Sequence, residues 1–285
     1  MFEYLKLFYY LLNPNSIFLR RTSHSLGDNL LITVVLPKLR EKFPAKKIIV
    51  ETEWKELFYN NPYPTWVTEK HFTTTKRHFR TTYKIDETSN ISLYKQLLNS
   101  VNLEGIESPK LFLSETEIQN AKIKFPFNYI VTCPVGVQTF SANRKEWGFD
   151  NFQQLRKLLS TFEFIQIGAE NDPLLENVHD ARGLDIRKSA AILNNSLFFI
   201  GLEGGLMHVA KSVEKKAAII YGGMIDPKIS GYDNFINIYN KTYCSPCFNS
   251  HKKHTICDSM ICMKEITPEY VYQRLIEKGF IENEN

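Results

Sequence analysis

The stretch Leu197-Phe-Phe-Ile-Gly-Leu-Glu-Gly-Gly-Leu-Met-His-Val-Ala-Lys-Ser-Val-Glu-Lys-Lys-Ala-Ala-Ile-Ile-Tyr221 reads in three beats. Residues 197–200 are an apolar run of strand length, 206–213 set apolar side chains at helical spacing, and 217–221 return to a short apolar run. Strands apolar at every position, joined through a helix, predict a parallel sheet covered by helices on both faces. Working outward, 129–133 and 162–167 read as further strands. Residues 149–159 read as a helix with Asp150 in its first turn, and 186–195 as a helix capped by Asp185. The class is therefore α/β. Ligands of such sheets bind outside the carboxyl ends of the strands, which directs attention to Gly136, Gly168, the glycines of 201–205, Gly222 and Gly223.

The first half continues the pattern less regularly. Residues 16–21 read as a strand, 22–27 as a loop, 28–42 as a helix, 47–50 as a strand and 89–101 as a helix, while 59–84 shows no usable period. Residues 122–128, centred on Phe-Pro-Phe, read as a linker, so the expected domains are 1–126 and 127–285, the second ending in a helix. Residues 1–12 are apolar and aromatic nearly all round and end at Asn13-Pro14-Asn15. Two readings stand for them: a helix packed on the domain, or an interfacial anchor at the surface of the inner membrane.

The 285 residues are 43% hydrophobic and 23% charged, which excludes a disordered or fibrous chain. Lys and Arg number 35 against 31 Asp and Glu; this net +4 is too small for a nucleic-acid binder, so any anion site is local. No apolar run reaches the roughly 18 residues of a membrane span, and the first residues do not read as a signal peptide, so a cytoplasmic protein is expected.

The sharpest chemical signal is Ile200-Gly-Leu-Glu-Gly-Gly-Leu-Met-His208, a strand entering a Gly-rich turn that opens a helix. Glycines let backbone approach a ligand, and the N–H groups and dipole at the helix start attract phosphate oxygens, with His208 able to add a donor. The plain alternative is a tight turn with a packed histidine. Motifs for P-loop nucleotide hydrolysis, dinucleotide binding, serine esterases and zincins are missing, as is any Asp-x-Asp that would bridge a metal to a sugar diphosphate. Cys244, Cys247, Cys257 and Cys262 have the spacing of a structural zinc site, with two local disulfides or free thiols as alternatives and His251 and His254 as competing ligands. Cys133 reads as buried and inert.

Ser25-Leu-Gly-Asp28 before an apolar helix, Arg144-Lys-Glu-Trp147, Ile167-Gly-Ala-Glu170, Gly201-Leu-Glu-Gly-Gly-Leu-Met-His208, Tyr221-Gly222 with Asp226-Pro227, and Cys244-Ser-Pro-Cys247 together resemble glycosyltransferase family 9. That family contains the lipopolysaccharide heptosyltransferases. The resemblance implies a GT-B fold of two facing Rossmann-like domains. It also implies inverting, metal-independent transfer of heptose from ADP-heptose to a lipopolysaccharide core or related glycan, with no cofactor needed for catalysis.

Residue by residue, the resemblance makes Asp28 the base for the attacking hydroxyl, although an aspartate there also suits a helix cap. It makes Lys145 the cation facing the departing diphosphate. Glu170 matches a residue holding the nucleoside, and Glu203, Gly204, Gly205, Leu206 and His208 match the donor loop. The family's usual Asp-Thr-Gly-Leu is Glu203-Gly204-Gly205-Leu206 here, which leaves open another nucleotide sugar, or a binding module without catalysis. The basic run from Lys70 to Arg80, with Lys76, Arg77 and Arg80, reads as a holder of the anionic groups of a glycan or glycolipid acceptor or as a solvated loop.

Overall fold

The computed structural model describes residues 2–20, 23–70, 78–85, 91–105, 108–136, 138–248 and 254–282. It divides into two compact units, Met1–Lys84 with Ile91–Ser114, and Ile85–Asn90 with Glu115–Asn285.

The first unit is built on four parallel strands: β1 (Ser16–Arg20), β2 (Lys47–Glu51), β3 (Trp66–Thr68) and β4 (His78–Arg80), in the order β3-β2-β1-β4. Phe18 of β1 is in register with Ile49 on one side and His78 on the other. The two strands that the sequence left unassigned have three residues each, too few to display a period of two. The expected helix 28–42 is three pieces, Leu26–Leu31, a 3₁₀ turn Ile32–Val34, and Leu36–Lys42. It begins at Leu26 because Ser25 caps it, its hydroxyl accepting from the Asp28 N–H at 3.3 Å. It restarts at Leu36 because Pro37 lacks the N–H a helix interior needs and is tolerated only in a first turn. The expected helix 89–101 narrows to Leu93–Ser100, capped by Ser92. A separate helix, Phe2–Leu12, packs Leu7 and Tyr10 on Phe18, Ile49 and Trp66.

The second unit holds six parallel strands: β5 (Tyr129–Cys133), β6 (Glu163–Gln166), β7 (His179–Asp180), β8 (Phe199–Leu202), β9 (Ala217–Tyr221) and β10 (Ile236–Tyr239). Their order is β10-β9-β8-β5-β6-β7. Helices Phe149–Leu158, Ile186–Asn195 and Gly205–Ser212 follow the expected pattern, and Asp185 caps the second by accepting from Lys188 N–H. Ile130, Ile200, Ala218 and Ile220 from three central strands meet Phe152 and Leu155 of one helix and Val271 and Leu275 of the helix Pro268–Glu277 in one core. Residues 122–124, expected as linker, belong instead to a helix, Glu115–Lys124. This helix lies on Ile186–Asn195 through Arg187, whose Nε and Nη2 donate to the Glu117 carboxylate at 2.5 and 2.7 Å, and through Asn195 Nδ2, which donates to the Ile118 carbonyl at 2.8 Å. The units therefore divide at 114/115, upstream of the 126/127 boundary that the Phe-Pro-Phe segment suggests.

Candidate active site

Each sheet has a point where successive connections leave in opposite directions, and in open parallel sheets the crevice at that point is where ligands bind. In the first sheet the chain runs from β1 outward through β2 and β3, then returns to the other side as β4. The carboxyl ends of β1 and β4 flank the switch, and both contribute to one cluster. Past β1, Asp28 is the third residue of its helix and half-buried. Past β4, Tyr83 donates its hydroxyl to Asp28 Oδ1 at 2.6 Å, and Ser23 donates to Asp28 Oδ2 at 2.5 Å. The buried Asn29 fixes this loop, its Nδ2 donating to the carbonyls of Ser23 and Ser25 at 2.7 and 2.9 Å while its Oδ1 accepts from Thr52 at 2.8 Å. Asp28 is therefore not the helix cap, a role Ser25 fills, but a carboxylate held by two hydroxyls at the switch point. No motif in the sequence marks Ser23 or Tyr83 as members of this cluster.

In the second sheet the chain adds β6 and β7 outward on one side of β5, then returns to add β8, β9 and β10 on the other, so the switch lies between β5 and β8. The segment after β5 brings Lys145 to Glu203, which follows β8; their Nζ and Oε2 form an ion pair. The Lys145 side chain is 18% exposed and Glu203 is 8%, so the lysine is not an ordinary solvated one. Its flanks are anchored. Asn143 Nδ2 donates to the Cys257 carbonyl at 3.0 Å and its Oδ1 accepts from Cys257 N–H at 2.8 Å. Arg144, 6% exposed, donates from Nε to the Thr255 carbonyl at 3.0 Å, and Trp147 Nε1 donates to the Ile266 carbonyl at 2.6 Å. Gly222 at the end of β9 makes room for this turn, since a Cβ there would lie 2.5 Å from the Arg144 carbonyl oxygen.

Beside Glu203, the helix Gly205–Ser212 begins with no side-chain cap, and the space where Gly204 would carry a Cβ is open. Uncapped N–H groups beside open space are a site for an anion. His208 is 6% exposed, and its Nδ1 lies 2.8 Å from the Tyr232 hydroxyl, with the rings edge to face. That nitrogen faces Tyr232, as in the packed-histidine reading. Glu170 stands exposed on the turn after β6. This turn passes through Gly168 at φ +143°, where a Cβ would strike Asp172 Oδ2, itself the acceptor for Ala169 N–H at 2.8 Å.

Arg80 is exposed at the end of β4, while Lys76, Arg77 and His251 lie outside the described residues. Cys244, Cys247, Cys257 and Cys262 carry free thiols and line one pocket with Arg144 and Gly223. Gly223 N–H donates to Cys262 Sγ at 3.1 Å. Among the described residues, no group of three or more His, Cys, Asp or Glu side chains is arranged to hold a metal ion. Cys133 is buried, and burial pushes its thiol up to about 12.

Residues 87–256 match the family model for glycosyltransferase family 9 (heptosyltransferase). No curated protein matches the chain. Among solved structures, the dodecameric iron-containing glycosyltransferase TibC of enterotoxigenic Escherichia coli is similar, with a TM-score of 0.73 and 17% identity over 92% of this chain and 76% of that one. TibC has also been solved with ADP-D-β-D-heptose. The E. coli ADP-heptose lipopolysaccharide heptosyltransferase II gives a TM-score of 0.67 and 14% identity over 92% and 98% of the two chains. E. coli heptosyltransferase WaaC, solved with ADP, gives 0.62 and 12% over 92% and 99%.

Proposed function

The chain belongs to glycosyltransferase family 9 and has the α/β GT-B fold of those glycosyltransferases, and from that premise we propose that it moves heptose from ADP-heptose to an anionic glycan or glycolipid of the lipopolysaccharide core type. The observation that carries this reading is the Lys145–Glu203 pair beside the open, uncapped start of the helix Gly205–Ser212, at the switch point of the second sheet. An ammonium and a helix N-terminus are the counter-charges a diphosphate leaving group needs where no metal takes part in the transfer.

In this reaction Asp28 accepts the proton of the acceptor hydroxyl as its oxygen bonds to the anomeric carbon. The bond from that carbon to the diphosphate breaks, and its electron pair leaves on ADP, whose charge Lys145 and the N–H groups of Gly205 and Leu206 stabilise. Attack opposite the leaving group inverts the carbon. Tyr83 and Ser23 orient the base. Glu170 holds the nucleoside, His208 braces the donor helix through Tyr232, and Arg80, with Lys76 and Arg77, contacts the acceptor's anionic groups.

Among the described residues the four cysteines do not stand in a metal-holding arrangement, but their thiols line one pocket and Gly223 N–H supports one sulfur, so we propose that a structural ion such as zinc would be held there once the side chains close on it. Binding would draw the thiols inward and tie together the segment that anchors Lys145. The ion supplies a cross-link, outside the transfer step.

A second reading, another nucleotide sugar, is favoured by Glu203-Gly204 standing where the family usually has Asp-Thr, since it alters the polar groups beside the donor. Calorimetric titration of metal-stripped protein with ADP, UDP, GDP and CMP and their sugar conjugates separates the two. The first reading predicts selective binding of ADP and ADP-heptose. Preference for UDP or GDP would keep the enzyme class and overturn the donor, and no binding to any would point to the module without catalysis.

A further inference from the structure

We propose that the outward face of the helix Phe2–Leu12 is a docking surface for an anionic lipid membrane. The inward side of this helix is accounted for, because Leu7 and Tyr10 are buried on Phe18, Ile49 and Trp66. The outward side is not. Phe2 is 78% exposed, and Tyr4, Leu5, Phe8, Tyr9 and Leu12 are each more than half exposed. Phe2, Leu5, Tyr9 and Leu12 follow one another at three- and four-residue steps, with Tyr4 and Phe8 beside them, so the six form one continuous stripe. Four aromatics of roughly 150–250 Å² each, more than half uncovered, expose about 400 Å² before the leucines are added; a monomer rarely leaves such a patch without use.

The charges around the stripe select the occupant. Lys6 Nζ lies 5.1 Å from the Trp66 ring centroid and Lys70 Nζ 4.9 Å from that of Tyr4. Lys46 Nζ donates to the Pro14 carbonyl at 3.3 Å, and Lys47, exposed, donates its backbone N–H to the Asn15 carbonyl at 2.8 Å, both in the turn that ends the helix. Lys55 pairs with Glu3 and Glu69 at 3.6 and 3.3 Å. Lysines therefore outnumber carboxylates along both ends of an aromatic stripe. A two-fold contact with a second copy would set the same lysines against themselves, which disfavours that occupant. An anionic headgroup layer satisfies both features: the rings sit at the boundary between headgroup and acyl chain while the lysines meet phosphates. At 1.5 Å per residue the helix spans only about 16 Å, so it lies in the interface plane and does not cross it.

This inference goes beyond the transfer reaction and does not depend on which donor is used. The test is co-sedimentation of the full chain with vesicles of phosphatidylcholine alone, or of phosphatidylethanolamine and phosphatidylglycerol in equal parts. The wild type should bind the anionic vesicles about tenfold more strongly, and less so as salt is raised. The combined variant Phe2→Ser, Leu5→Ser, Phe8→Ser and Leu12→Ser should lose most of this binding, and Lys46→Glu with Lys47→Glu should lose the anionic preference. Both should keep the wild-type melting curve and ADP affinity, since the replaced side chains are outside the core and the candidate active site. Wild type that stays in the supernatant with anionic vesicles at low salt would overturn the proposal, as would undiminished binding by the Ser variant. A dimer by light scattering that the Ser variant dissolves, without vesicle binding, would assign the face to a second copy instead.

Discussion

Glu203 reaches across the switch point of the second sheet to pair with Lys145. The glutamate carboxylate and a bound diphosphate are two anions with claims on one ammonium, and the pair is largely withdrawn from water, where such claims are felt most. Glu203→Gln removes the competitor and should tighten ADP binding several-fold. Lys145→Ala removes the cation and should weaken ADP binding while lowering turnover about 10²–10³-fold. Titration calorimetry of both variants checks the opposite signs.

Tyr83 acts through Asp28 and not on substrate in this account. Tyr83→Phe deletes one of the hydroxyls that hold the carboxylate. It should lower kcat about tenfold with little change in the KM for donor, the pattern expected when only the transition state loses a contact. An unchanged kcat would remove Tyr83 from the mechanism.

The Arg187–Glu117 pair fastens the helix Glu115–Lys124 to the second unit. Arg187 is 7% exposed and its bidentate partner Glu117 is half-buried, so Arg187→Ala, which loses both hydrogen bonds to the carboxylate, should cost about 1–2 kcal/mol of stability in denaturant unfolding. A fragment starting at residue 115 should also be more stable than one starting at residue 127.

Removing a structural ion should act on catalysis through Lys145, because Asn143 and Arg144 are held by the backbone of Thr255 and Cys257 within the cysteine-rich segment. Chelation should lower the melting temperature and turnover together. Stripped protein should then take up a thiol alkylator at pH 8 first at the exposed Cys244 and the half-buried Cys257, more slowly at Cys247 and Cys262, whose thiols burial pushes up, while Cys133, pushed up to about 12 by burial, stays unlabelled.

The long elements were legible because their burial is one-sided or complete over many residues. Strands β5 and β9 have the expected bounds, and the helix Ile186–Asn195 has both the expected span and its Asp185 cap. The helix Glu115–Lys124 was not legible, since Ala121 is its only buried residue and its sequence carries almost no apolar face. β3 and β4 were lost for their length, and Tyr83 was lost with β4, because its role comes from the sheet order that sets β4 beside β1. Glu203 and Lys145 were each legible as candidates. Their pairing was not, since 58 positions separate them and only the packing of β5 beside β8 brings them together.

Asp28 as the base is the claim on which the reaction rests. The most direct measurement compares wild type and Asp28→Asn for two quantities, the affinity for ADP-heptose and the rate of transfer to lipopolysaccharide truncated in its inner core. The two affinities should agree within about twofold, and transfer by Asp28→Asn should fall by about 10²–10⁴, the usual worth of a general base. Comparable transfer rates in the two proteins would contradict that claim.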